Sequence, residues 1–153
     1  LILYAPTFRN NYDNDPYDID FKKLKSYIAD KYNKESEVIV KLHPLAIDKY
    51  QMLNSNDFIN ANKYSDIQQL LISADIIITD YSSVMFDGLI ANKPVIIYAK
   101  DIEEYNNERG CYFEFKDLPF QLATNNDELI EIIKNNNIKE LKNKYEKFNR
   151  EKY

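Results

Sequence analysis

Short apolar runs alternate along the chain with segments whose apolar residues recur every three or four positions. The runs over residues 1–5, 37–42, 57–60, 75–79 and 94–98, with a further candidate over 111–115, read as strands. Two of them, Asp75-Ile76-Ile77-Ile78-Thr79 and Pro94-Val95-Ile96-Ile97-Tyr98, are nearly continuous β-branched stretches, as in strands covered on both faces. Between the runs, Phe21, Leu24 and Ile28 have helical spacing, as do Leu129, Ile132 and Ile133. Asp66 with Gln69 three places on marks the start of a helix over about 66–73, and another spans about 83–92. Ile138, Leu141, Tyr145 and Phe148 form one stripe of a terminal helix that packs on this domain or on another. Strands and helices alternate without a repeat or a linker, which predicts one α/β domain over residues 1–153, a Rossmann-like, doubly wound parallel sheet.

Composition narrows the possibilities. A length of 153 residues, 44% of them hydrophobic, suffices for one real core. The chain opens directly on a strand without an initiator Met, so it reads as a piece of a longer protein. Twenty Lys and Arg are interspersed among twenty-five acids, a net charge of −5, which argues against a basic face for nucleic acid. A single cysteine, Cys111, cannot form an internal disulfide, and no Cys/His spacing suits zinc; a reducing cytoplasm fits, and neither metal nor cofactor is expected. No apolar run reaches the ~20 residues of a membrane span. Gly88 and Gly110 are the only glycines, so the glycine-rich phosphate loops of dinucleotide and P-loop enzymes are absent. Any phosphate site must be built from helix N-termini and side chains.

In open parallel sheets ligands sit beyond the carboxyl ends of the strands. After the first strand, Thr7 offers a hydroxyl and Arg9 a planar fork of donors suited to phosphate oxygens; a solvated Arg on a surface turn is the alternative. After the second comes Lys41-Leu42-His43-Pro44. His43, the only histidine, is held there by the restriction that Pro44 imposes on its backbone. Its imidazole can donate to a diphosphate and, when protonated, offset charge on a leaving phosphate. Lys41 could add positive charge, although alternation along the strand turns it away. After the fourth strand, Ser82 and Ser83 sit at a helix start, beside free amides at the positive end of the helix dipole; a plain Ser cap is the alternative. Asp80 orders this loop through bonds to backbone amides. Asp87, about one turn into the helix, either accepts from ribose hydroxyls or complements the dipole.

The segments Tyr4-Ala5-Pro6-Thr7-Phe8-Arg9, Lys41-Leu42-His43-Pro44 and Thr79-Asp80-Tyr81-Ser82-Ser83-Val84-Met85-Phe86-Asp87 occur in this order, followed by Lys93-Pro94-Val95 and Glu108-Arg109-Gly110. Together they resemble the carboxyl-terminal domain of the CDP-glycerol glycerophosphotransferases, the teichoic acid primases and polymerases with the GT-B fold. The resemblance implies half of a GT-B fold, a donor lobe whose Arg9, His43, Ser82 and Ser83 hold the diphosphate of CDP-glycerol or a related CDP-polyol. Thr7, Pro44, Leu45, Asp80 and the backbone of Val84 and Met85 line the same pocket, Asp87 holds the ribose, and Arg109 helps close the cleft. The implied reaction is attack by a polymer-end hydroxyl on the distal phosphorus with release of CMP, Arg9 and His43 stabilising the leaving phosphate. The acceptor and its base belong to an amino-terminal domain outside this sequence, so the chain alone is expected to bind donor and not to turn over. The whole enzyme is expected at the inner face of the cell membrane, serving teichoic acid or capsule synthesis. Rival readings are a GT-B sugar transferase, a CDP-ribitol-dependent transferase, a receiver-like signalling module and a purely structural lobe. The receiver's acid pair after the first strand is missing, because Ala-Pro-Thr stands there.

Overall fold

Six short strands, β1 (Ile2–Tyr4), β2 (Val38–Val40), β3 (Ile59–Asn60), β4 (Ile76–Thr79), β5 (Val95–Tyr98) and β6 (Gln121–Ala123), form one sheet in the order β3-β2-β1-β4-β5-β6. The computed structural model describes residues 1–9, 17–49, 56–110 and 113–152. Every strand pairing is parallel; Leu3 lies between Ile39 and Ile77, for example. The order is that of a doubly wound Rossmann sheet, as expected, and it reverses between β1 and β4.

The period-two alternation of strand side chains divides the core into two layers. Ile2, Tyr4, Val38, Val40, Ile76, Ile78, Ile96 and Tyr98 face one side, where they meet Phe21, Leu24 and Ile28 of α1 (Phe21–Tyr32) and Leu129 and Ile133 of α5 (Asn126–Asn135). Leu3, Ile77, Val95 and Ile97 face the other side. There they meet Leu71 of α2 (Ile67–Ser73), Met85 and Leu89 of α3 (Val84–Ile90) and Tyr145 of α6 (Ile138–Lys152).

Local chemistry sets the helix ends. Asp20 caps α1 by accepting from Lys23 N at 2.9 Å, and Asn33 ends it in the left-handed conformation at φ 49°. Asp66 caps α2 through the amides of Gln68 and Gln69, but the Gln69 side chain accepts from Tyr64 rather than returning to the cap. At α6, Asn137 and Glu140 form a reciprocal capping box, each side chain accepting from the other's amide at 2.8 and 2.9 Å. The stripe of α6 packs on this domain: the buried Tyr145 hydroxyl donates to Val95 O at 2.5 Å and accepts from Val95 N at 3.0 Å. Among the described residues, no helix is long and apolar enough to cross a membrane.

Two elements differ from expectation. The last strand is β6, not 111–115; residues 111 and 112, and with them Cys111, fall outside the described residues, and Phe115–Asp117 is a 3-10 turn. Phe113 packs edge-on with Phe86 and with Phe115, so the apolar residues of this segment serve ring packing rather than a sheet face. A short helix, α4 (Ile102–Glu108), with no fully buried residue and hence no strong apolar stripe, follows β5.

Gly88 lets α3 approach the sheet closely, since a Cβ there would stand 2.6 Å from Val95 Cγ2 and 3.0 Å from Ile77 Cδ1. Both contacts are to buried side chains, so Gly88→Ala is expected to cost about 1–3 kcal/mol by overpacking. Tyr145→Phe is expected to cost about 1–3 kcal/mol by leaving the buried Val95 N–H without its acceptor. Urea unfolding followed by circular dichroism checks both; an unchanged midpoint in either variant contradicts the packing described.

Candidate functional site

The carboxyl ends of β1, β2 and β4 open onto a cleft of about 460 Å³ at the point where strand order reverses. Pro6 and Thr7 after β1, Lys41, His43 and Pro44 after β2, Ser65 and Ile67 at the start of α2, and Tyr81, Ser82, Ser83 and Val84 after β4 line it. Such a crevice is where doubly wound sheets take ligands. Among the described residues, no group of three or more His, Cys, Asp or Glu could hold a metal ion.

His43 is exposed on the wall after β2, and Pro44 behind it opens a 3-10 helix, Pro44–Lys49. The His43 carbonyl accepts from Ala46 N at 2.8 Å, and Nδ1 accepts from Leu45 N at 3.3 Å. An acceptor role for Nδ1 puts the proton of the neutral ring on Nε2, which becomes a donor for an incoming ligand. The Leu45 amide is thereby engaged, and its side chain is 63% exposed outside the cleft lining.

Lys41 also lines the cleft, whereas alternation was expected to turn it away. Val38, Val40 and Leu42 pack in one core layer, so alternation persists to Leu42 and sets Lys41 with Ile39 on the face of α2 and α3, where its Nζ reaches Asn62 O at 3.0 Å. Asn62 Oδ1 accepts from Leu42 N at 2.7 Å, which fixes the backbone between Lys41 and His43. Lys41 is the one Lys or Arg among the described cleft-lining residues.

The opposite wall is the start of α3. Ser82 Oγ accepts from Val84 N at 3.3 Å, whereas Ser83, the N-cap residue, makes no side-chain cap bond. Met85 N donates to Ser82 O, its side chain is buried in the core, and unlike Val84 it does not line the cleft. Asp87 lies one turn beyond Ser83, beside Gln68, Leu71 and Ile90 in an adjoining groove between α2 and α3. Arg109 is the exposed C-cap of α4 and does not line the cleft.

Arg9 occupies a different environment from the expected phosphate contact or solvated turn. It is 6% exposed, with Nε 2.6 Å from Asp101 Oδ2, NH2 3.1 Å from Asp101 Oδ1 and 2.9 Å from Asp80 Oδ2, and NH1 donating to Thr7 O at 2.9 Å. Burial disfavours its charge, but the hydrogen bond and the charges of Asp101 and Asp80 outweigh that and hold the guanidinium above its usual value. Asp80 accepts from Thr7 N at 2.8 Å and Thr7 Oγ1 at 2.6 Å, so it orders the loop after β1 rather than its own, and the Thr7 proton is already committed. The Tyr81 ring lies 4.8 Å from Arg9 Cζ and stacks on Tyr105 at 3.6 Å, and its hydroxyl donates to Asp101 Oδ1 at 3.1 Å. Burial first, then the Asp101 charge, push the Tyr81 phenol well above its usual range, keeping it a neutral donor.

Lys41, Ser65, Tyr81 and Asp101 were not assigned from the sequence. Asp101 stands three residues beyond the end of β5, so the strand-end rule applied to that strand would have found it.

The description CDP-Glycerol:Poly(glycerophosphate) glycerophosphotransferase belongs to the family model that matches residues 1–153. The teichoic acid poly(ribitol-phosphate) polymerase of Bacillus spizizenii is 35% identical over 143 residues, covering 88% of this chain and 22% of the relative. The teichoic acid poly(glycerol phosphate) polymerase of Bacillus subtilis is also 35% identical over 143 residues, covering 88% of this chain and 19% of the relative. The wall teichoic acid polymerase TagF superposes with a TM-score of 0.72 at 28% identity over 95% of this chain and 36% of that structure. A TagF variant soaked with CDPG superposes equally well, with a TM-score of 0.72 at 31% identity over 95% of this chain and 34% of that structure. The chain thus spans about a fifth of the two polymerases' length and about a third of the TagF structures.

Removing Arg9 leaves two nearly buried carboxylates facing each other. Arg9→Ala is expected to destabilise the fold by about 3–5 kcal/mol, and Arg9→Lys to recover only part of this because an ammonium cannot bridge both acids side-on. Equilibrium urea unfolding measures the loss; a difference under about 1 kcal/mol, the scale of an exposed pair, contradicts it. From Thr7 to Ser83, the loops around this cleft are built on the segments that first suggested the family, and the chain belongs to the CDP-glycerol:poly(glycerophosphate) glycerophosphotransferases.

Proposed function

We propose that this chain is the donor-binding part of a transferase that takes glycerol phosphate from CDP-glycerol and adds it to the terminal hydroxyl of a teichoic-acid-like polymer. The observation that carries the proposal is the pairing, across one cleft, of Lys41 and His43 with the serine-capped start of α3. A diphosphate needs donors and compensating positive charge. His43 Nε2–H, the unengaged donors of Lys41 Nζ and the Ser82 and Ser83 hydroxyls supply them. Arg9 contributes indirectly, through Thr7 and Asp80, because its fork is occupied by carboxylates. Asp87, on the same helical face as Ser83, extends the site toward the ribose.

In the proposed reaction the polymer hydroxyl attacks the distal phosphorus and the bond to the bridging oxygen breaks, so negative charge accumulates on departing CMP. Lys41 and His43 stabilise that charge where it develops. The base that takes the proton from the hydroxyl comes from outside this chain, as does the acceptor site, and Arg109 belongs to the rim that meets them. Cytidine and glycerol rest on family membership, and the ribitol polymerase among the relatives keeps CDP-ribitol as the second reading. Placement of the whole enzyme at the inner face of the membrane rests on the family resemblance alone.

Titration calorimetry of the chain with CDP-glycerol, CDP-ribitol, CMP and UDP tests the proposal. The cytidine nucleotides are expected to bind more tightly than UDP. Each of Lys41→Ala and His43→Ala is expected to weaken CDP-glycerol by about tenfold or more, the scale of a lost charge-assisted bond. Absence of a cytidine preference, or wild-type affinity in both variants, contradicts it. Polymer synthesis by the chain alone would overturn the external base.

A further inference from the structure

Resting on the donor-diphosphate reading of the cleft, we propose that α4 buttresses the site, with Asp101 and Tyr105 as positioning residues that act through Arg9 and Tyr81. Neither residue lines the cleft. Both touch side chains that set its walls.

Asp101 is the N-cap residue of α4, yet its side chain makes no cap bond. An aspartate at that position ordinarily accepts from the amides of its own helix. Here the carboxylate accepts instead from Arg9 Nε at 2.6 Å, Arg9 NH2 at 3.1 Å and the Tyr81 hydroxyl at 3.1 Å. Its bonding therefore runs toward the loops after β1 and β4. Tyr105, one turn further on, stacks nearly parallel on Tyr81, with a 10° interplanar angle, and its ring centroid lies 5.2 Å from Arg9 Cζ. No residue of α4 is fully buried, so these polar and stacking contacts, with partly buried Ile102, dock the helix.

Two connections carry this docking to the cleft. From Asp101 through Arg9, a bond to Thr7 O and an ion pair to Asp80 fix the wall after β1, since Asp80 also holds Thr7 N and Oγ1. From Tyr105 through Tyr81, the stack fixes the residue immediately before Ser82 and Ser83. A displacement of either wall by a fraction of an ångström moves the donors that face the diphosphate, and such misplacement costs affinity without removing any ligand-contacting group.

The competing idea is that Arg9 is a phosphate ligand restrained by Asp101. The two differ in sign. Calorimetry with CDP-glycerol on the wild-type chain and on Asp101→Asn, Tyr105→Phe and Tyr105→Ser separates them, at a temperature where circular dichroism shows each variant folded. Asp101→Asn removes the anion that orients Arg9 and is expected to weaken binding by about tenfold. Tyr105→Phe keeps the stack and is expected to bind as wild type, whereas Tyr105→Ser is expected to weaken binding by a similar factor. That contrast is one that loss of stability alone does not produce once only folded protein is titrated. Unchanged or tighter binding in Asp101→Asn, or equal affinity in the two Tyr105 variants, overturns the buttress. Wild-type protein that fails to bind CDP-glycerol removes the donor reading itself and the buttress with it.

Discussion

The guanidinium of Arg9, clamped between Asp80 and Asp101, is the interaction on which the ligand-facing edge of the domain depends. It joins the loops after β1, β4 and β5, which no backbone ladder connects. A sheet of strands only two to four residues long fixes where each strand ends but says little about the loops that leave it. A buried ion pair is a costly way to hold such loops, because three charges lose water. It persists where the geometry satisfies nearly every donor, as here: four bonds from the Arg9 fork, two from Thr7 to Asp80 and one from Tyr81 to Asp101. Three tyrosine rings, of Tyr17, Tyr81 and Tyr105, lie within about 6 Å of the guanidinium and add cation–π attraction where water is largely excluded.

With those loops fixed, the rest of the edge divides into complementary parts. Arg9, Asp80 and Asp101 do not line the cleft, and the donors of the guanidinium are taken up by the two carboxylates and Thr7 O. The cation and the imidazole come from the other side, on the β2 loop, where Asn62 holds the backbone between them. In the proposed reading, structure and ligand chemistry fall to different residues. Arg9 looks like a phosphate binder by residue type and by its place after a strand, and it is a framework residue by its contacts.

The layered α/β fold was legible because the strands carry unmistakable β-branched runs and because Leu24, Ile28, Leu129 and Ile133 repeat at helical spacing. The strand-end rule then placed His43, Ser82 and Ser83 around one cleft, since each follows a strand directly. The clamp on Arg9 was not legible because its partner lies 92 residues away on a helix without an apolar stripe. Lys41 was misjudged because the face to which alternation turns it, shared with Ile39, is the one on which α2 and α3 begin and line the cleft. The segment containing Phe113 and Phe115 has strand-like composition, but Phe113 packs on Phe86 and Phe115 on Phe113 and Tyr81, while β6 is three residues with Leu122 exposed and offers little pattern to read.

The central claim is that a nucleotide diphosphate sits between the β2 loop and the start of α3. His43 is the only histidine in the chain, so its imidazole resonances need no assignment by mutation. Proton–carbon correlation spectra recorded while CDP-glycerol is added test the claim most directly. The account predicts that the His43 ring signals shift and saturate with the same affinity as the amides of Ser82 and Ser83. Saturable CDP-glycerol binding that leaves the His43 ring signals in place would contradict it.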